Sequence, residues 1–161
     1  MDTNNDEIER AAALVEAMIR KQGIDPETVR MAPPGQGRAW SRMRGSAAVA
    51  VFLRPAHEGE DSPKLRIVSP IVKIDESTRP EIYKTLLELN ATGLGGMAFG
   101  VHQERVVLVA ERRTTDLEPA EVEHLIQRVG VVADHYDDHI VSRFGGSKVS
   151  ERVLVAALAG L

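Results

Sequence analysis

The chain of 161 residues reads as one α+β domain on an antiparallel sheet, in the order helix-strand-strand-strand-helix-strand-strand-helix, with a C-terminal tail helix. Three observations predict this. Apolar residues recur at helical spacing in three long stretches, and at strand spacing or as unbroken apolar runs in the stretches between them. The central stretch, Glu81 to Arg112, passes from a helical face through a glycine turn into two strands joined by a link of hairpin length. Runs of strands are interrupted by single helices instead of alternating with them, which favours antiparallel neighbours over crossovers.

Each element has its own local cause. Ile8, Ala12, Val15 and Ile19, widened by Ala11 and Met18, predict a helix over residues 6–22, which Gly23 ends. Asp25-Pro26-Glu27 has an acid ahead of an N1 proline and predicts a short helical turn. Residues 31–37 carry two prolines and two glycines and form a loop. Arg38, Trp40, Arg42 and Arg44 lie two apart, so a strand points all four to one side. Gly45-Ser46 is either a turn between two strands or a bulge within one. Residues 47–53 have no polar member and suit a strand covered on both faces. Residues 64–74 are a further strand, in which Pro70 implies an edge or a bulge. Ile82, Leu86 and Leu89, with Tyr83 and Leu87 beside them, form the central helix, and the glycines after Ala91 stop it. Met97, Phe99 and Val101 alternate, and residues 105–110 are rich in valine. Pro119 suits the first position of a long helix striped by Val122, Leu125, Ile126, Val129, Ala133 and Tyr136. Residues 1–147 are expected as the domain and 148–161 as a tail helix with Val153, Leu154, Ala157, Leu158 and Leu161 apolar.

Composition narrows the function classes. Hydrophobic residues make up 43% and charged residues 27%, as in an ordinary globular protein. With one Trp, two Tyr and three Phe, the core has to be aliphatic. Without cysteine there is no disulfide, thiolate nucleophile or cysteine-ligated metal. The N-terminal residues are acidic and polar, unlike a signal peptide, and no apolar run approaches the ~20 residues that span a bilayer. A formal charge of −4 gives no general attraction to nucleic acid or anionic membrane. A cytoplasmic protein is expected.

Several segments together resemble the YbjN domain: residues 69–74 (SPIVKI), residues 86–91 (LLELNA), Phe99-Gly100 ahead of a valine-rich strand, and residues 117–122 (LEPAEV) opening a long helix. That family shares its fold with the type III secretion chaperones of the CesT type. The resemblance runs from about Ile8 to Phe144 and leaves the tail outside. It implies an α+β fold, frequent homodimerisation and protein binding, with no known catalysis; no cofactor is expected.

Four features bear on chemistry or binding. Residues 93–98 match G-x-G-x-x-A, but a helix precedes them and a strand follows, the reverse of what a dinucleotide site needs. His135 and His139 share a helical face, which raises a metal or metalloenzyme alternative; they lack the glutamate of H-E-x-x-H and a third ligand. The arginine strand could hold phosphates and stack bases, a nucleic-acid alternative that the net acidity disfavours, or grip an acidic peptide. Finally, two strands apolar on both faces need cover beyond one layer of helices, from a second subunit, a partner segment or the tail. The expected function is therefore a non-catalytic adaptor or chaperone-like module, a homodimer that holds a segment of a partner protein. Arg38, Trp40, Arg42 and Arg44 are the expected polar anchors, and Phe52, Val107, Val109, Leu154 and Leu158 the apolar ones.

Overall fold

The computed structural model describes residues 3–33, 35 and 37–149. Helix α1 (Thr3–Lys21) has Asp6 in its first turn and Arg20 and Lys21 in its last, each opposing the local end of the helix dipole. It buries Ile8, Ala12, Val15 and Ile19. A 3-10 turn (Pro26–Val29) follows, in which the Glu27 N–H donates to the Asp25 carboxylate at 3.1 Å.

Six strands form the main sheet: β1 (Arg30–Met31), β2 (Arg38–Arg44), β3 (Ala47–Arg54), β4 (Lys64–Lys73), β5 (Met97–His102) and β6 (Arg105–Arg113). Their order is β1-β2-β3-β4-β6-β5, with every neighbouring pair antiparallel. A seventh strand, β7 (Ser147–Lys148), pairs with Val72 and Lys73 of β4. Because β6 flanks β4 along its length, β7 lies on the β3 side. It straddles the boundary between 147 and 148 drawn from the sequence, and the Val149 N–H continues it with a bond to Ile71 O. Strands β1 and β7 have two residues each, too few for a periodicity to announce them.

Both open alternatives in the strands are resolved. Gly45-Ser46 is a turn: Arg44 faces Ala47 across it and Gly45 has φ +57°, a left-handed backbone that glycine adopts without strain. Pro70 marks a bulge in a central strand, since β4 lies between β3 and β6 and its register to β6 shifts between Pro70 and Val72. Buried Ser69 meets its polar need by donating to Ala48 O at 2.7 Å.

Helices α2 (Arg79–Ala91) and α3 (Pro119–Phe144) pack with α1 on one face of the sheet. Helix α3 starts with a reciprocal capping box, Glu118 with Glu121. The core beneath the helices contains Trp40, Leu53, Leu65, Ile67, Leu108 and Ile140. On the opposite face a second buried cluster joins Ala39, Ala48, Ala50, Phe52, Val68 and Val107. No helical residue among those described belongs to it. The sheet is thus apolar on both faces. Among the described residues no helix is long and apolar enough to cross a membrane.

Candidate functional site

The alternation of β2 does send Arg38, Trp40, Arg42 and Arg44 to one side, and that side lies under the helices. Trp40 is 1% exposed and belongs to the core. Arg38 binds Glu9 of α1, with Nε 3.2 Å from the carboxylate, and this bond holds its pKa above the ordinary arginine range. Arg42 and Arg44 differ from these two. Neither has an ion-pair partner among the described residues, and Arg42 Nη1 is buried with no hydrogen bond. Burial first and the Arg44 charge second pull the Arg42 pKa down. The gap that Arg42 and Arg44 line with Gln22 and Gln127 is about 10 Å³, the room of one water. Any larger group therefore reaches the arginines from the strand edge.

The β2–β3 turn is fixed to α3 by a small polar network. The Ser46 N–H donates to Asp134 Oδ1 at 2.9 Å, and Ser46 Oγ lies 2.8 Å from that oxygen and 2.6 Å from Asp137 Oδ2. Lys148 of β7 pairs with Asp137 at 3.1 Å and with Asp138 at 2.7 Å. The Ser46 N–H and hydroxyl hold the Asp134 carboxyl below the usual range, and Asp138, then Asp137, hold the Lys148 ammonium above its own. Asp134 lies near Arg44, but both bonds it makes are to Ser46.

At the other end of the sheet, α2 and β5 enclose an apolar groove of about 330 Å³, lined by Tyr83, Leu86, Leu87, Phe99 and Val101 among others. Leu87 is 69% exposed and Val101 43%, unusual for large apolar side chains so close together. Asn90 closes one side. Its amide NH₂ donates to Phe99 O at 3.0 Å and its carbonyl accepts from Phe99 N–H at 2.8 Å. The helix thus occupies the outward backbone groups at the middle of β5. Asn90 falls within the 86–91 motif of the sequence but has no role legible there, because its partner is a backbone nine positions away.

Of the expected apolar contacts, Phe52 and Val107 are buried in the second cluster and Val109 is half-buried beside it. They come together on one face, opposite the arginines. Leu154 and Leu158 lie outside the described residues. His135 and His139 are exposed on α3, their rings stacked 6.5 Å apart, next to Tyr136, whose ring meets Phe99 edge-on at 5.1 Å. Among the described residues no three His, Asp or Glu side chains gather as metal ligands would. The G-x-G-x-x-A segment lies between α2 and β5 with Gly93, Gly95 and Gly96 all left-handed, a helix exit with no following helix N-terminus.

Fold and surfaces define a class: an α+β module whose sheet carries a cationic edge at one end and an apolar groove at the other. The same fold occurs in the crystal structure of the ExsC–ExsE complex, one chain of which superposes with a TM-score of 0.61 at 16% identity, over 86% of this chain and 96% of that one. No curated protein sequence matches the chain. The family profile of T3SS (YopN, CesT) and YbjN peptide-binding chaperone 1, TY-Chap1, matches residues 42–152, more than half of the length. The chain belongs to this family.

Proposed function

We propose that the protein is a non-catalytic, cytoplasmic, chaperone-like adaptor that holds an extended segment of a partner protein, added as a strand to the outer edge of β2. The observation that carries this reading is the incomplete pairing of that edge. Strand β1 reaches only Ala39 and Trp40, so among the described residues nothing pairs residues 41–44 on their outer side. Exposed edge backbone is a template for another chain, and membership of a peptide-binding family supports such use. Met43, 37% exposed, stands in the middle of this segment. A homodimer belongs to the same reading. The α2–β5 groove, with Leu87 and Val101 exposed beside it, is the subunit contact, which leaves β2 at the far end of the sheet for the partner.

The test is selection of binders from a random peptide library, followed by titration against Met43→Pro. Proline deletes one outward N–H while an edge strand tolerates its ring. Selected peptides should bind the wild-type protein and lose at least about tenfold in affinity for the variant, with unchanged melting, as expected when ladder bonds supply the affinity. An empty selection, or equal binding to both proteins, overturns the proposal.

A further inference from the structure

The geometry of the β2 edge also specifies what the segment carries; this rests on the strand-addition reading above. A two-residue turn makes Arg44 and Ala47 its bonded closing pair, and Gly45, left-handed at the first turn position, is the residue that such a turn favours. Antiparallel ladders alternate bonded and non-bonded pairs. Arg42 and Trp40 therefore bond inward to β3, and Ser41 and Met43 turn their N–H and C=O outward. A strand laid against them places alternate side chains about 5 Å, Cβ to Cβ, from Arg42 and Arg44. The residue between falls on the opposite face, beside Met43.

What those arginines lack decides the ligand. They are two like charges on one face, two residues apart. Among the described residues neither has an ion pair, Asp134 near Arg44 makes its bonds to Ser46, and one guanidinium nitrogen of Arg42 is buried without a bond. A desolvated cation with an unbonded guanidinium nitrogen, as Arg42 is, favours an arriving anion. Several other arginines of the sheet have acids already: Arg38 has Glu9, Arg54 has Glu60, and Arg66 has Glu111. Arg42 and Arg44 stand on the segment of β2 whose outer backbone has no strand partner among the described residues.

We infer that the β2 edge takes an acidic segment with the alternation acid–apolar–acid, its two carboxylates on Arg42 and Arg44 and its apolar side chain against Met43. Selectivity comes from the charge pairs and affinity from the ladder, so the two can be separated.

The experiment titrates the full-length protein with three fluorescent peptides of equal length: valine alternating with glutamate, with glutamine, and with lysine. The glutamate peptide should bind at least about tenfold tighter than the glutamine one at low salt, and the gap should narrow as salt screens the pairs. Charge reversal, Arg42→Glu with Arg44→Glu, should transfer the preference to the lysine peptide, an outcome that a misfolded variant does not give. Equal binding of all three, abolished by Met43→Pro, overturns the acidic specificity and leaves strand addition standing. Glutamate preference unaffected by charge reversal places the acid site elsewhere and overturns the assignment to β2. Binding of none overturns both readings.

Discussion

Gly130 shows how one missing methyl shapes the cationic edge. It sits inside α3, where glycine costs about 1 kcal/mol relative to alanine, and a Cβ there would come 2.4 Å from Arg44 Cδ. The obstructing atom belongs to a flexible stem, so the side chain gives way before the backbone does. Gly130→Ala should therefore gain up to about 1 kcal/mol of helix propensity, less the cost of moving Arg44. It should nevertheless weaken the glutamate peptide severalfold, because the displaced guanidinium loses its place opposite the added strand. Calorimetric melting and peptide titration read the two effects separately; parallel loss of both would instead mean that α3 itself had shifted. At this scale the sequence was half legible. The two-residue spacing of Arg38, Trp40, Arg42 and Arg44 fixed their common side, but a strand has two faces and nothing in the spacing says which meets the helices. The core position of Trp40 depends on α1 and α3 arriving from distant sequence, as does the difference between paired Arg38 and unpaired Arg42.

Among the elements, the β2–β3 hairpin owes its position to the network at its turn. Ser46, Asp134, Asp137 and Lys148 connect it to α3 and β7. Ser46→Ala removes the hydroxyl shared by two carboxylates and should cost about 1–2 kcal/mol near neutral pH. The pH dependence has a definite sign. The Asp134 carboxyl is held below its unfolded-state pKa, so its contribution is present above the usual aspartate range and is lost as pH falls through the depressed value. Lys148 is held above its own, so its contribution is complete below the usual lysine range and is lost as pH rises through the raised value. The melting difference between wild type and Ser46→Ala should accordingly shrink on acidification and persist through neutral pH; a difference that grows in acid would contradict this network. The elements themselves were largely readable. Pro119 and the acids around it marked the start of α3, and Gly45-Ser46 left only turn or bulge. What could not be read was the pairing of β7 with β4, because two residues carry no period and their partner lies some seventy positions earlier.

For the whole molecule, the sheet has unlike ends. One presents backbone and cations, the other an apolar groove with its edge partly occupied by Asn90. Sedimentation at increasing concentration should show a dimer that Leu87→Asp with Val101→Asp dissociates, while the glutamate peptide still binds the resulting monomer. A wild-type protein that stays monomeric at all concentrations would remove the groove as a subunit contact. The surplus of apolar strand surface was evident from residues 47–53 and 105–110, and the second cluster around Phe52, Val68 and Val107 is where that surplus lies. The groove was not evident, since Leu87 and Val101 look like ordinary members of a helix and a strand until α2 is laid across β5.

Asn90 bears on more than the local packing of α2. A sheet with two receptive margins can join copy to copy, the β2 margin of one molecule against the β5 margin of the next, and such a heterologous contact has no reason to close. With the N–H and C=O of Phe99 already bonded by a side chain of its own molecule, the β5 margin offers such a series fewer backbone groups. An amide at the end of a helix thus opposes head-to-tail growth of copies at one margin while the other keeps its strand backbone exposed.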